Sequence, residues 1–162
     1  MSILGRRRPP AGTTYAMVAV AITTSTAPLA YVASLGEGST RRRRDARLAA
    51  VLAEFGYRSV VGEPGEEVGI HPDRLDGVTG ASVVVCDLVR PDRDVPVEVA
   101  IAATRDIPVV ALVPAGVPIE GLAAQMLADA RATIVRYDRA EPHHVLHARL
   151  AELEMQALSR SA

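Results

Sequence analysis

Aromatic residues and cysteine are scarce in this chain. Tryptophan is absent, phenylalanine and cysteine occur once each, and aromatic residues make up only 3% of the 162 residues. The core must therefore be built from Ala, Val, Leu and Ile, and the length suits one domain with a proper core. The single cysteine, Cys86, excludes an internal disulfide. Because it lies in an apolar segment, we expect a small buried hydrophobe rather than a nucleophile.

The chain also carries no excess of charge and no long apolar run. Its 18 basic side chains nearly balance 19 acidic ones, so the charge gives no indication of a nucleic-acid or membrane partner. The arginines at 6–8 and the apolar run 15–22 superficially resemble a signal peptide, but two prolines and a glycine separate them. That run is also far too short to span a bilayer. We interpret residues 1–14 as a disordered tail and 16–22 as a strand, and we expect a cytoplasmic protein.

Short apolar runs alternate with longer helical patterns along the rest of the chain. Apolar runs separated by helices predict a parallel sheet covered on both faces. We therefore predict one α/β domain over 15–162, doubly wound (Rossmann/flavodoxin-like), with a mainly parallel five-stranded sheet. Segment 16–22 either pairs with the next strand or begins the sheet. The predicted strands are 29–33, 58–61, 82–88, 108–113 and 132–135, and the predicted helices are 40–55 (stopped by a left-handed Gly56), 73–79, 96–105, 119–129 and 141–158.

Glu98 is the most informative residue. Pro96 suits the first position of a helix, which places Glu98 in the first turn of the helix after strand 82–88. Free backbone N–H groups and the positive end of the helix dipole favour a carboxylate there. In an α/β sheet that position faces the ligand crevice, so we expect an accessible carboxylate at the mouth of the crevice, and Glu98 is a candidate nucleophile or base. The alternative is an acid that only complements the dipole.

Three aspartates lie close to Glu98 in the sequence. Asp87 is near the end of the preceding strand, and Asp92 and Asp94 lie in the connecting loop. Several carboxylates at one crevice shift each other's pKa, which chemistry uses and stability does not need. The alternative is that the loop aspartates, which lie beside prolines, only form turns.

A glycine-containing loop, 34–39, precedes a run of four arginines at 41–44. Gly36 and Gly38 allow close approach of the backbone, and the following helix N-terminus favours an anion, so the loop could bind phosphate. The sequence is neither a GxGxxG motif nor a P-loop. The alternative is a solvated helix face whose arginines pair with Asp45 and Glu37.

The histidines near the C-terminus do not predict a metal site. His143 and His147 have the i, i+4 spacing that can hold a metal. No cysteine or third ligand has supporting spacing, so we interpret these residues and His144 as surface histidines. We expect no metal and no cofactor.

Several of these segments together resemble the nucleoside 2-deoxyribosyltransferase family, which includes nucleoside 5′-monophosphate N-glycosidases. The resemblance rests on the segment 81–88, on Asp92 followed six residues later by Glu98, on Ala100, and on the segment 107–112. It extends more faintly over residues 29–137. It implies an enzyme that cleaves the N-glycosidic bond between a sugar and a nucleobase.

The resemblance also implies roles for individual residues. Glu98 matches the nucleophile that forms a covalent glycosyl-enzyme, resolved by water or by a second base. Asp92 is the second catalytic residue that it implies. Met126 matches a position that serves the neighbouring subunit's site, which implies a homodimer. The implied substrate-binding residues are Ser34, Gly36, Gly38, Asp73, Asp87, Asp94 and Met126.

The chain departs from the family pattern at three positions. Asp94 and Pro96 stand where the family has glycines. Arg74 stands where the family has an aspartate, with Asp73 adjacent and Asp76 two residues on, so a one-residue shift would restore the acid. Asp92 is typical of relatives that act on free nucleosides, whereas the arginine run suits a 5′-phosphate. A catalytically silent nucleotide-binding module therefore remains the alternative. A third hypothesis, a flavodoxin-like flavin domain, is disfavoured by the few aromatic residues near the loop 34–39.

Overall fold

The computed structural model describes residues 27–33, 38–62, 72–91, 95–138 and 141–160. The predicted tail 1–14 and the predicted strand 16–22 lie outside these residues. Strands and helices alternate through the described parts, as the sequence predicts. The elements are β1 (Leu29–Ala33), α1 (Ser39–Glu54), β2 (Arg58–Val61), α2 (Pro72–Thr79), β3 (Val83–Asp87), α3 (Val97–Thr104), β4 (Val109–Pro114), α4 (Gly121–Asp129), β5 (Thr133–Tyr137) and α5 (Pro142–Arg160).

The five strands form one parallel sheet in the order β2-β1-β3-β4-β5. This confirms the predicted doubly wound α/β fold. The chain reverses its direction of winding between β1 and β3, which lie side by side. In open parallel sheets, the crevice at the carboxyl ends of two such strands is the usual place for a ligand.

Two apolar cores cover the two faces of the sheet. Alternate residues of each strand point to opposite faces, so Tyr31 joins one core and its neighbour Val32 joins the other. Helices α2, α3 and α4 pack over the core that contains Tyr31. Helices α1 and α5 pack against each other over the second core.

The structure confirms the predicted end of α1 and corrects the predicted start of α3. Gly56 has φ +79°, the left-handed conformation expected after α1, and its N–H donates to the carbonyl of Ala53. Pro96 is not the first helical residue, because its ψ of 137° is extended and α3 begins at Val97. Among the described helices, none is long and apolar enough to cross a membrane.

Candidate functional site

Glu98 lies in the first turn of α3, beyond the carboxyl end of β3, as the sequence predicts. Its side chain is only 1% exposed, which is unusual for a carboxylate. The expectation of an accessible carboxylate at the mouth of the crevice is therefore not met by the described residues. A buried charge needs a counter-ion and hydrogen bonds, and both are present.

Two side chains from other elements donate to one oxygen of Glu98. Arg74, from α2, places Nε 3.1 Å from Oε1, and its Nη2 also contacts that atom. The Tyr31 hydroxyl, from β1, donates to the same Oε1 at 3.4 Å. Within the described residues, the hydrogen bonds of this carboxylate all end on Oε1 and none ends on Oε2. This geometry holds the carboxylate in one orientation.

The partners of Glu98 have shifted pKa values. Burial raises the pKa of Tyr31, and the negative charge of Glu98 raises it further, so the phenol stays a hydrogen-bond donor. Burial alone would lower the pKa of Arg74, but hydrogen bonds to Glu98 and Tyr31 outweigh that effect and raise it. Arg74 is therefore a permanent cation beside the carboxylate. It is 20% exposed and forms the outer member of the ion pair.

Arg74, not Asp73, reaches Glu98. The resemblance left room for a one-residue shift that would place an aspartate at this position. Asp73 lies in the first turn of α2 and is exposed, whereas the Arg74 side chain points into the sheet side of the helix. The chain therefore presents a cation to Glu98 where the resemblance implies an anion.

Asp87 belongs to a different cluster. Cys86 faces the Tyr31 core, so Asp87, the next residue, faces the α1 and α5 side. There it forms an ion pair with Arg44 at 3.0 Å and accepts a hydrogen bond from the Tyr137 hydroxyl at 2.9 Å. Burial raises the pKa of Asp87, and the charge of Arg44 opposes that rise. Asp87 and Glu98, expected at one crevice, thus lie on opposite faces of the sheet.

The remaining predicted site residues are only partly described. Gly38 precedes α1 with φ +105°, a conformation that favours glycine. Met126 lies on α4 and lines a shallow cavity of about 350 Å³ with Ala100 and Ala103 of α3. The lining residues of that cavity do not include Glu98. Four predicted residues, Ser34, Gly36, Asp92 and Asp94, lie outside the described residues.

The arginine run and the histidines have distinct surroundings. Arg41 pairs with Asp45 at 3.1 Å, as one interpretation of the run predicts, and Glu37 lies outside the described residues. The ring of His143 packs edge-on against that of His144. The Nε2 atom of His147 lies 3.5 Å from Oε2 of Glu54. In the described parts of the chain, no three His, Cys, Asp or Glu side chains are grouped as metal ligands.

Tyr31 and Tyr137 were not among the predicted site residues, although each is central to one of the two clusters, and Arg44 was predicted only as a member of the arginine run. Tyr31 carried a signal, because a hydroxyl-bearing aromatic in a buried strand must find a hydrogen-bond partner. Tyr137 lies beyond the predicted strand 132–135 and carried no such signal. Arg74 was noted only as a departure from the family pattern.

Comparison with known proteins supports the fold. No family model matches the sequence, and no curated protein sequence matches it. Among solved structures, the chain is similar to the CMP N-glycosidase BcmB of Clostridium botulinum, with a TM-score of 0.52 and 12% identity. The alignment covers 75% of this chain and 98% of that one. At this identity the likeness establishes a shared architecture.

Proposed function

We propose that this protein cleaves the N-glycosidic bond of a nucleoside or nucleoside 5′-monophosphate, with Glu98 as the nucleophile. The observation that carries the proposal is a buried carboxylate, held by Arg74 and Tyr31, at the switch point of the sheet. The same architecture occurs in a protein described as a CMP N-glycosidase, which supports nucleotides as the substrate class. The proposed reaction needs no metal or redox cofactor.

The proposed mechanism is a double displacement. A Glu98 oxygen attacks the anomeric carbon of the sugar while the bond to the base breaks and the base leaves with its electron pair. Asp92 is proposed to assist as the acid that protonates the departing base. Water then gives a proton to the Asp92 carboxylate as it attacks the same carbon, which releases the sugar and regenerates the Glu98 carboxylate. A second base in place of water would give transfer instead of hydrolysis.

Arg74 bears on the choice of substrate. Its guanidinium withdraws electron density from Glu98, so loosening the ion pair would make the carboxylate a stronger nucleophile. A 5′-phosphate supplies a second anion that guanidinium groups bind well, and it would draw Arg74 away from Glu98. We therefore place the nucleoside 5′-monophosphate ahead of the free nucleoside, against the contrary indication of Asp92.

The ion pair also favours a second candidate, a nucleotide-binding module without turnover. A carboxylate that keeps its arginine partner in the presence of ligand is a weaker nucleophile than one without it. In that case the chain would bind nucleotides and release no base.

A substrate panel separates these candidates. Ribo- and deoxyribonucleosides and their 5′-monophosphates are incubated with the protein, with and without an acceptor base, and free base is measured by chromatography. We expect release by the wild type and a loss of at least about a thousandfold in Glu98→Gln, which keeps the shape of the side chain. Glu154→Gln, at an exposed position on α5, is the matched control and should retain activity.

The panel has two outcomes that count against the glycosidase. Binding of nucleotides without release by the wild type favours the silent module. Release that persists in Glu98→Gln shows that another group acts as the nucleophile.

A further inference from the structure

A second cavity lies where α1 and α5 begin. It measures about 360 Å³ and is lined by Thr40, Arg43, Arg44, Arg47, Glu141 and Pro142. Both helices are long, pack against each other and start at the carboxyl edge of the sheet. Two positive helix ends therefore converge on one cavity.

The three arginines of this cavity differ in how firmly they are held. Arg44 forms the floor of the cavity, where it donates to Asp87 and to the Tyr137 hydroxyl. Its buried Nε has no hydrogen-bond partner among the residues that the structure describes. Arg47 pairs with Glu141 at 3.4 Å, but both side chains are about half exposed, so that pair is weak. Arg43 is exposed and has no ion pair within the described residues.

The charge balance at the cavity is positive. Three guanidinium groups face two carboxylates, those of Asp87 and Glu141, which leaves one net positive charge before the helix ends are counted. The first turn of α1 contains no acidic residue to neutralise the helix dipole, and α1 has no side-chain cap. The first turn of α5 also lacks an acid, and Glu141, already counted above, is the residue that precedes it. The sequence contains no lysine, and arginine is the side chain that binds phosphate oxygens in a bidentate manner.

We propose that this arginine cavity binds a phosphate-bearing small molecule. The volume suits a small ligand rather than a macromolecular surface. The cavity lies on the α1 and α5 side of the sheet, whereas Glu98 lies on the α2 and α3 side. The arginine cavity is therefore a separate site, and it does not depend on the proposed glycosidase activity.

The proposal is tested by titrating the full chain with inorganic phosphate and, separately, with ribose 5-phosphate at constant ionic strength, by calorimetry. The double variant Arg43→Ala/Arg47→Ala should weaken binding of the preferred probe by at least about tenfold, since each charge-assisted contact contributes substantially. Arg44, Asp87 and Tyr137 remain in that variant, and thermal unfolding checks its fold. Arg42→Ala, at an exposed neighbouring position outside the cavity, should change affinity less than twofold.

The two probes identify the source of the phosphate. Tighter binding of ribose 5-phosphate indicates a phosphate monoester as the ligand, whereas equal or tighter binding of inorganic phosphate indicates the free ion. Three results overturn the proposal. The first is that neither probe binds, and the second is that Arg42→Ala loses as much affinity for the preferred probe as Arg43→Ala/Arg47→Ala. The third is that Arg74→Ala loses affinity and Arg43→Ala/Arg47→Ala does not. The last result would place the phosphate beside Glu98.

Discussion

Glu98 depends on residues that are distant in the sequence. Its partners Arg74 and Tyr31 are 24 and 67 positions away. The sequence could place the carboxylate in the first turn of α3, because the apolar run, the proline and the helical pattern are local signals. It could not supply the partners, because they are brought to Glu98 by the packing of α2 and β1.

Removing Arg74 should leave a buried carboxylate without its counter-ion. We expect Arg74→Met to lower the free energy of unfolding by about 3 kcal/mol, measured by chemical denaturation. Arg58→Met, at an exposed position on β2, should change it by less than about 0.5 kcal/mol.

Arg74→Met in a Glu98→Gln background should lower the free energy of unfolding much less, because no unpaired charge is then left in the interior. An equal loss in both backgrounds would mean that the ion pair does not govern the effect of Arg74.

Cys86 should be unreactive in the folded protein. The thiol is fully buried, and burial, with smaller effects from Asp87 and Glu98, raises its pKa to about 12. Ellman's reagent should therefore modify Cys86 only after unfolding, since the thiolate is the reactive form. Rapid modification of the native protein at neutral pH would contradict the structure at this residue.

The shifted pKa of Cys86 also predicts a pH dependence. The native thiol keeps its proton between pH 9 and about 12, while the unfolded thiol loses it. Stability should therefore be intact below pH 9 and fall as the pH rises through this window, by up to about 1.4 kcal/mol per pH unit from this one group. In denaturation experiments at alkaline pH, the stability of Cys86→Ala should fall less steeply with pH than that of the wild type.

The strands and helices were predictable because their signals are short-range. Apolar runs mark the strands, and Gly56 marks the end of α1. The prediction that Asp87 lies at one crevice with Glu98 was wrong. Side chains of β3 alternate between the two faces of the sheet, so Asp87 points away from Glu98, although both are acids near one strand end. Acids that are close in the sequence can therefore lie on different faces of the sheet.

Gly56 gives a test for the end of α1. Its φ of +79° is costly for a residue with a Cβ, although no neighbouring atom would clash with one. Gly56→Ala should lower stability by about 1 kcal/mol, and Gly56→Asn should cost less because asparagine tolerates the left-handed conformation. A free energy of unfolding for Gly56→Ala equal to that of the wild type would contradict this conformation.

The whole molecule separates two chemically different regions. A shielded carboxylate lies over one face of the sheet and an arginine cavity over the other. The sequence predicted the parallel sheet but not its strand order, because β1 pairs with both β2 and β3 through long-range contacts. The resemblance in the sequence covers the strands that frame Glu98 and, more faintly, the arginines of α1, but not the start of α5, which completes the arginine cavity.

The homodimer that the family resemblance implies remains a prediction, and it can be tested at the surface of α4. Leu122, on the same helix, is 75% exposed, and Met126 is partly exposed. We expect the wild type to be a dimer by light scattering and Leu122→Lys/Met126→Lys to be a monomer. Met155→Lys, at a position 63% exposed on α5, should remain dimeric. A monomeric wild type would contradict the expectation.

Detection of a covalent sugar on Glu98 is the most direct measurement. The protein is mixed with the best substrate from the panel, denatured within its first turnovers, and analysed by intact mass and peptide mapping. We predict a sugar adduct on the peptide that contains Glu98 in the wild type and in Glu154→Gln, and none in Glu98→Gln. Base release without any adduct, undiminished in Glu98→Gln, would contradict the central claim that this carboxylate attacks the sugar.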